Sequence, residues 1–321
     1  MEHFPLWEIG LHKGKNRAKI VLIVASRIEG KMMNYTELSL PQDHREEIHR
    51  ILTDASERAG GVDSESMLRS LQELTTDDAD LQARFTDIAI PLLEATIDAP
   101  NPEAALSRFS RFAHLTFSRR WLYQLLRDTQ SLIRPVIFCF GASNYLSEIL
   151  IRTPEYFHDI IDADVMELQK TSETMYQELK QSISRFASVE QKLRILRRYK
   201  RRETLRIGLR DLLKTADVAT TTLELSNLAE AALQHCYEIG RDQVMKPKFG
   251  TPLNEDGDAP CRFAIIGMGK LGGYELNFSS DIDLIFVYSD DARTDTGTDN
   301  SEYFSRLCIL TQTILGCVCL L

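Results

Sequence analysis

Two aspartates late in the sequence form the residue pattern with the clearest chemical meaning. Asp281 and Asp283 flank Ile282 and run directly into the apolar segment 284–288. Side chains of a β-strand alternate between its two faces, so a strand here places both carboxylates side by side on one face. Two like charges so close repel and raise each other's pKa unless a cation lies between them. The pair therefore predicts a site for a hard divalent ion such as Mg²⁺, which bridges to substrate phosphates.

A glycine-rich segment before the aspartates has the composition of a phosphate-binding turn. The apolar run 263–266 predicts a buried strand that leads into this turn. Its glycines are Gly267, Gly269, Gly272 and Gly273. Glycine has no Cβ, so backbone N–H groups can approach a phosphate closely, and Lys270 adds a positive charge. These five residues, with Ser280 before Asp281, are the predicted nucleotide- and phosphate-binding residues.

Two other nucleotide-binding patterns fit the segment less well. The first three glycines satisfy the G-x-G-x-x-G pattern of a dinucleotide site. However, only seven residues, 274–280, separate Gly273 from Asp281, whereas a crossover between parallel strands takes roughly a dozen. The Walker pattern fails because Leu271 follows Lys270 where Ser or Thr is required. A nicotinamide or flavin oxidoreductase is thus the weak alternative, and a purely structural turn and edge strand stays open.

Amphipathic helices are predicted for most of the sequence before this site, because apolar residues recur there at helical spacing. The predicted helices cover residues 44–59, 64–74, 78–95, 102–114, 121–135, 144–151, two within 165–214, 217–239 and 300–315. Ser143 is the expected N-cap of the sixth, and Gly240 and Gly316 are expected to end the last two. The Pro-, Gly- and Asp-rich stretch 246–258 is the best candidate boundary. We expect a leader of uncertain status at 1–32, a helical domain at 33–240 and the site-bearing domain at 241–321.

An arginine-rich stretch in the middle of the sequence invites a nucleic-acid interpretation. Nine basic residues lie between Lys192 and Arg210. Leucines at helical spacing favour a simpler structure, in which they bury one face and the arginines are solvated on the other. The arginines could also steer a phosphate-bearing substrate, which the sequence leaves open.

Composition excludes several classes of protein. The chain has 321 residues, 43% of them hydrophobic, which is enough to bury a full core. Its 38 basic and 47 acidic residues give a net charge of −9, which argues against wholesale binding to nucleic acid or to an anionic membrane. Six scattered cysteines show neither a CxxC pair nor zinc-site spacing. With no apolar run of about 18 residues, we predict a cytoplasmic protein with reduced thiols.

The site segment also carries a family resemblance. Residues 267–286, GMGKLGGYELNFSSDIDLIF, resemble the signature of the glutamine synthetase adenylyltransferase/adenylyl-removing enzymes, which belong to the DNA polymerase β-like nucleotidyltransferase superfamily. Residues 140–155 and 197–213 are similar to helical regions of the same family, although Thr153 stands where the family usually has His. The resemblance implies a mainly α N-terminal helical domain followed by the first part of a mixed α/β nucleotidyltransferase (polymerase β-like) domain.

The resemblance also implies a function. In the superfamily the glycine turn holds the nucleotide phosphates and the Asp-x-Asp strand binds two magnesium ions, which gives Gly272 and Gly273 the turn role and Asp281 and Asp283 the catalytic metal role. The implied ligands are ATP, ADP or AMP with phosphate, the implied substrate is glutamine synthetase, and the implied regulator is a PII signal protein.

Two halves with opposite reactions occur in this family, and the resemblance favours the N-terminal one. A single long helical region precedes the site, as in the half that removes AMP from a tyrosyl group by phosphorolysis and releases ADP. The half that attaches AMP from ATP is the alternative, and a non-catalytic helical interaction module is the alternative of another class.

A third carboxylate is needed in polymerase β-like sites and is missing from this sequence. In the resembled family it lies downstream, in an Asp-Leu-Arg-Leu-Arg-Pro-like segment that does not occur here. We therefore predict a truncated nucleotidyltransferase domain and a chain that has little or no activity by itself.

Overall fold

Helices dominate the fold, as predicted. The computed structural model describes residues 27–28, 31–32, 35, 38–57, 61–75 and 78–319. The helices are α1 Gln42–Ser56, α2 Ser64–Leu74, α3 Ala79–Ile97, α4 Pro102–Leu115, α5 Arg119–Asp128, α6 Ile133–Ala142, α7 Asn144–Arg152, α8 Phe157–Ile160, α9 Ala163–Glu167, α10 Ser172–Ile183, α11 Val189–Leu212, α12 Val218–Ile239, α13 Lys246–Phe249, α14 Gly269–Gly272 and α15 Asn300–Cys319. The strands are β1 Arg27–Ile28, β2 Lys31–Met32, β3 Phe263–Gly267 and β4 Leu284–Tyr288. A mainly α fold followed by a partial α/β segment is therefore confirmed.

Side-chain caps fix where several helices begin. The Asp63 carboxylate accepts hydrogen bonds from the N–H groups of Glu65 and Ser66 at the start of α2. The Ser143 hydroxyl accepts one from the N–H of Leu146, which confirms the predicted N-cap of α7. These caps satisfy N–H groups that have no partner inside the helix.

The first core lies within the N-terminal helices. Aromatic side chains of α3 to α8 fill its centre and are fully buried. They are Phe85, Phe109, Phe112, Tyr123, Phe140 and Phe157. Leu205 and Leu209 of the later helix α11 join the same core, so α11 packs against the first bundle.

A second core joins the helices to the site-bearing segment. It is built from α10, α11 and α12 and includes Leu271 and Leu276 from the turn region and Ile314 and Leu315 from α15. Because this core contains residues from both sides of position 240, the helices and the site are packed together. The predicted domain boundaries stay a prediction, and the proposed leader 1–32 lies outside the described residues except for β1 and β2.

Helix α11 is buried on all sides along residues 203–210, and this contradicts one prediction. We expected the arginines of this stretch to be solvated, yet Arg206 and Arg210 are 2% and 5% exposed. The helix is enclosed because the first core covers one side and α12 the other. Arginines enclosed in this way need partners, since a buried unpaired charge is very costly.

The partners form a buried ion network between α11 and α12. Arg206 donates to Glu203 at 2.7 Å and to Glu224 of α12 at 2.6 Å, and Arg210 also donates to Glu224. Lys170 approaches Glu203 at 3.0 Å and donates its backbone N–H to Glu224 at 3.0 Å. The network thus ties α11, α12 and the segment before α10 together.

The protonation of Glu203 reflects this environment. Burial opposes ionisation of its carboxyl group, but the positive charges of Lys170, Arg206 and Arg202 together outweigh burial and hold the pKa of Glu203 below its usual range. The Glu203 carboxyl group is therefore ionised at neutral pH.

Strands β3 and β4 form an antiparallel pair, with Ile265 opposite Phe286 and Gly267 opposite Leu284. A dinucleotide-binding unit needs parallel strands, so the dinucleotide alternative is excluded for this segment. We predicted a buried β3, but the pair is covered on one face only. Ile266 and Ile285 point away from the helices and are 45% and 46% exposed.

The two glycines expected to end helices do not do so. Gly240 keeps helical angles (φ −61°, ψ −48°), and α12 continues through a π-helix, Gly240–Met245, into α13. A Cβ on Gly240 would make an ordinary contact with Leu310 Cδ2 of α15, at 3.4 Å. Gly316 lies inside α15. Among the described helices, none is long and apolar enough to cross a membrane.

Candidate functional site

The glycine turn follows β3 directly, as predicted, and two of its glycines are required by the backbone. Gly269 has a φ of +53°, in the left-handed region that favours glycine. A Cβ on Gly272 would lie only 2.5 Å from the carbonyl oxygen of Gly267. The short helix α14 thus folds back onto the end of β3, and only glycine permits that contact.

Gly273 is less constrained, and two N–H groups of the turn already donate hydrogen bonds within it. A Cβ on Gly273 would lie 3.6 Å from its nearest neighbour, an ordinary contact distance. The N–H of Gly272 donates to Met268 O at 3.1 Å and that of Gly273 donates to Gly269 O at 3.0 Å. A phosphate bound by these two N–H groups would therefore compete with hydrogen bonds within the turn.

Asp281 and Asp283 lie just before β4 and not within it, so the predicted strand begins three residues later than expected. One backbone hydrogen bond, from Met268 N to Asp283 O at 2.9 Å, continues the pairing beyond the strand. Side chains still alternate here, since Asp281 and Asp283 are exposed while Ile282 between them is half-buried against the second core. Both carboxylates are therefore exposed, and their placement on one common face stays a prediction.

The surroundings of the two carboxylates leave them open to a ligand. Asp283 Oδ2 lies 3.4 Å from the position that a Cβ on Gly269 would take, which brings this carboxylate against the glycine turn. Within the described part of the chain, neither Asp281 nor Asp283 forms an ion pair. No group of three or more His, Cys, Asp or Glu side chains is placed to hold a metal ion among those same residues.

Lys270 and Ser280 are brought together by the loop between them. The Lys270 ammonium donates to Ser280 Oγ at 3.4 Å. Asn277 holds this loop, because its side-chain oxygen accepts from Ser280 Oγ at 2.7 Å and from Ser279 N at 3.1 Å. Asn277 was not among the predicted site residues, although an Asn two and three residues before serines is a known signal for such a turn.

Helix α12 anchors the same loop. Leu276 buries its side chain in the second core and donates its N–H to Ser226 Oγ of α12 at 3.1 Å. Ser226 itself is fully buried. The sequence gives no signal for this contact, because 50 residues separate its two partners.

A cleft of about 570 Å³ opens beside Asp281. Ser280, Asp281 and Ile282 form one wall, and helices α11 and α12 form others with Lys200 and with apolar residues such as Leu228. Asp283, Lys270 and the four glycines do not line it. The structure thus separates the predicted residues into a cleft side and a turn side that meet at Ser280 and the aspartates.

Comparisons with known proteins add independent information about this region. The family model described as glutamate-ammonia ligase adenylyltransferase matches residues 133–317, from the start of α6 into the last turn of α15. Curated relatives named bifunctional glutamine synthetase adenylyltransferase/adenylyl-removing enzyme include proteins from Shewanella loihica, 37% identical over 171 residues, and Mycolicibacterium smegmatis, 32% identical over 209 residues. These alignments cover 52% and 64% of this chain but only 18% and 20% of the relatives, so the chain spans about a fifth of their length.

Proposed function

Because the chain belongs to the glutamate-ammonia ligase adenylyltransferase family, we propose that Asp281, Asp283 and the glycine turn form an Mg²⁺-dependent nucleotidyltransferase site that acts on glutamine synthetase. The observation that carries this proposal is the pair of exposed carboxylates next to the glycine turn, which have no ion-pair partner among the described residues. Glutamine synthetase as the protein substrate is supported by the names of the relatives.

The donor set of the two aspartates fits Mg²⁺. This ion prefers oxygen ligands, keeps several waters, and commonly binds through one or two carboxylates plus substrate phosphates. Asp281 and Asp283 supply such oxygens at an exposed position where water and phosphate can complete the coordination. When bound, the ion would neutralise charge on the reacting phosphoryl group.

The remaining residues have roles that follow from their positions. Lys270 and Ser280, which contact each other, place an ammonium and a hydroxyl beside the aspartates, where both can hold phosphate oxygens. Gly269 leaves the space next to Asp283 open, because it carries no side chain. Gly267 and Gly272 shape the turn through their close contact, while Gly273 stays a predicted phosphate neighbour.

We infer further that the reaction is removal of AMP from modified glutamine synthetase by phosphorolysis, with release of ADP. This inference rests on the long helical region, α1 to α12, that precedes the site and resembles the arrangement of the AMP-removing half of this family. Attachment of AMP from ATP is the alternative. Regulation by a PII protein also stays a prediction.

Metal-dependent nucleotide binding tests the proposal directly. ATP is titrated calorimetrically into the protein, with and without Mg²⁺, and into Asp283→Asn. The expected result is binding that requires Mg²⁺ and is lost in Asp283→Asn, but is retained in Asp256→Asn, which makes the same charge change in an exposed loop. If Mg²⁺-dependent binding is absent from the wild-type protein, the chain is better described as a helical interaction module.

The direction of reaction needs a second assay. Residues 1–321 and a full-length relative are each given AMP-modified glutamine synthetase with Mg²⁺ and phosphate, or unmodified enzyme with ATP. ADP release without AMP attachment supports the removing half, and the reverse supports the attaching half. The same comparison tests the prediction that residues 1–321 have little activity by themselves, which equal turnover by the two proteins would contradict.

A further inference from the structure

Lys200 occupies an unusual position in the cleft beside Asp281. It comes from α11, whereas Asp281 comes from the segment before β4, and the two residues line the same cleft from different elements. Among the described residues that line this cleft, Lys200 is the one basic side chain and Asp281 the one acidic side chain. The cleft therefore has one cationic and one anionic position.

The ammonium group of Lys200 has no partner among the described residues. Lys200 is half-buried, yet no ion pair or side-chain hydrogen bond connects it to any residue in the described part of the chain. Arg206 and Arg210, on the same helix, are paired with Glu203 and Glu224. An ammonium that is partly removed from water without a counter-charge is stabilised when an anion binds next to it.

The rest of the cleft has the character of a site for a flat organic group. Leu225, Leu228 and Ala229 of α12 supply apolar surface to the same cleft. A volume of about 570 Å³ is within the range of small-molecule sites. Apolar surface, a cation and a metal-binding carboxylate together suit a nucleotide, with its base on the apolar surface and its phosphates toward the charges.

We propose that Lys200 binds a phosphate group in this cleft, supplied by the nucleotide or by free orthophosphate. The proposal rests on the proposed function and extends it, because it adds a phosphate-binding residue from the helical part of the chain. It also gives the arginine-rich helix α11 a direct part in ligand binding.

The test compares Lys200→Met with a matched control on the same helix. Lys192→Met makes the same change at a half-buried lysine of α11 that does not line the cleft. Three probes are titrated in the presence of Mg²⁺: ATP, orthophosphate and adenosine. For Lys200→Met we expect Kd to rise about tenfold for one or both phosphate-bearing probes, the low end of the effect of a charge-assisted hydrogen bond.

The three probes identify the source of the phosphate. A weaker affinity for ATP alone assigns Lys200 to the nucleotide, and a weaker affinity for orthophosphate assigns it to the free ion. Adenosine has no phosphate, so its binding should be the same in all variants. Lys200→Arg, which keeps the charge, should restore most of the affinity, and melting curves verify that each variant is folded.

The inference and the proposed function fail in different ways. If Lys200→Met binds ATP and orthophosphate within twofold of the wild-type protein, while Asp283→Asn still abolishes Mg²⁺-dependent binding, the role of Lys200 is refuted and the proposed function stands. If the wild-type protein binds neither phosphate-bearing probe, both are refuted. An equal loss of phosphate affinity in Lys192→Met would also refute the role of Lys200. The effect would then follow from net charge and not from a position in the cleft.

Discussion

Replacing Glu224 by glutamine removes the negative charge at the centre of the buried network. Glu224 is fully buried and accepts hydrogen bonds from Arg206 at 2.6 Å, from Arg210, and from the backbone N–H of Lys170 at 3.0 Å. Glutamine has nearly the same shape, so the change tests charge and hydrogen bonding with little change in packing. The side-chain NH₂ of glutamine would also face a donor, because every group around Glu224 is itself a donor.

The expected cost is large because Glu224 serves two buried arginines. Breaking a buried ion pair by removing one partner costs about 3–5 kcal/mol, since the remaining charge stays buried and uncompensated. Arg206 keeps Glu203 as a partner, whereas Arg210 has no other carboxylate within the described residues. Arg210 Nε is already without a hydrogen-bond partner, so this arginine has little to compensate the loss. We therefore expect Glu224→Gln to lower the free energy of unfolding by about 3–5 kcal/mol, a large share of the 5–15 kcal/mol typical of natural proteins.

Urea denaturation followed by circular dichroism measures this difference. The matched control is Glu230→Gln, which makes the same substitution on an exposed position of the same helix α12. The control should change stability by less than about 0.5 kcal/mol, as surface substitutions usually do. If Glu224→Gln lowers the free energy of unfolding by less than about 1 kcal/mol, and the slope of that free energy against urea concentration is unchanged, the claim that the network stabilises the fold is refuted.

Two further predictions follow from the same structure. Gly272→Ala should lower the melting temperature clearly, because its Cβ would lie 2.5 Å from Gly267 O, whereas Gly273→Ala, with 3.6 Å of room, should melt like the wild-type protein; equal melting curves would contradict the turn geometry. The folded-state pKa of Glu203 is lowered, so its stabilising effect is complete above the unfolded pKa of about 4.3 and is lost as the pH falls through the folded value. The difference in unfolding free energy between wild-type protein and Glu203→Gln should therefore shrink from pH 7 to pH 3, and a constant difference would contradict it.

The local geometry of the site could be predicted from sequence because it depends on neighbouring residues. Period-two spacing agrees with the exposure of Asp281 and Asp283 on either side of a half-buried Ile282, and the short gap after Gly273 excluded a parallel crossover. The predicted start of β4 was three residues too early. Before Leu284, pairing with the β3 side continues only through the hydrogen bond from Met268 N to Asp283 O. Spacing predicts where side chains point, but it does not reveal where two strands separate.

The buried arginines could not be predicted from α11 by itself. Its leucines suggested one buried face, while burial of the opposite face depends on α12, which carries Glu224. One signal was present in the sequence. Glu224 lies at helical spacing with Thr221, Leu228 and Ala231, all of which are buried. A carboxylate on the buried stripe of a helix needs a cation, and the arginine-rich helix is the nearest source.

The scaffold and the site are connected through one turn of α12. Glu224 faces α11 and its arginines, while Ser226, two residues later, accepts the hydrogen bond from Leu276 in the loop before the aspartates. Residues two apart on a helix point in different directions, so this turn contacts the ion network on one side and the site loop on another. Displacement of α12 relative to α11 would thus move Leu276 and change the cleft that Lys200 and Asp281 line. The position of the site therefore depends on the ion network as well as on its own residues. Glu224 binds Arg206 and Arg210, which lie 18 and 14 residues before it, and these buried pairs hold α11 and α12 together.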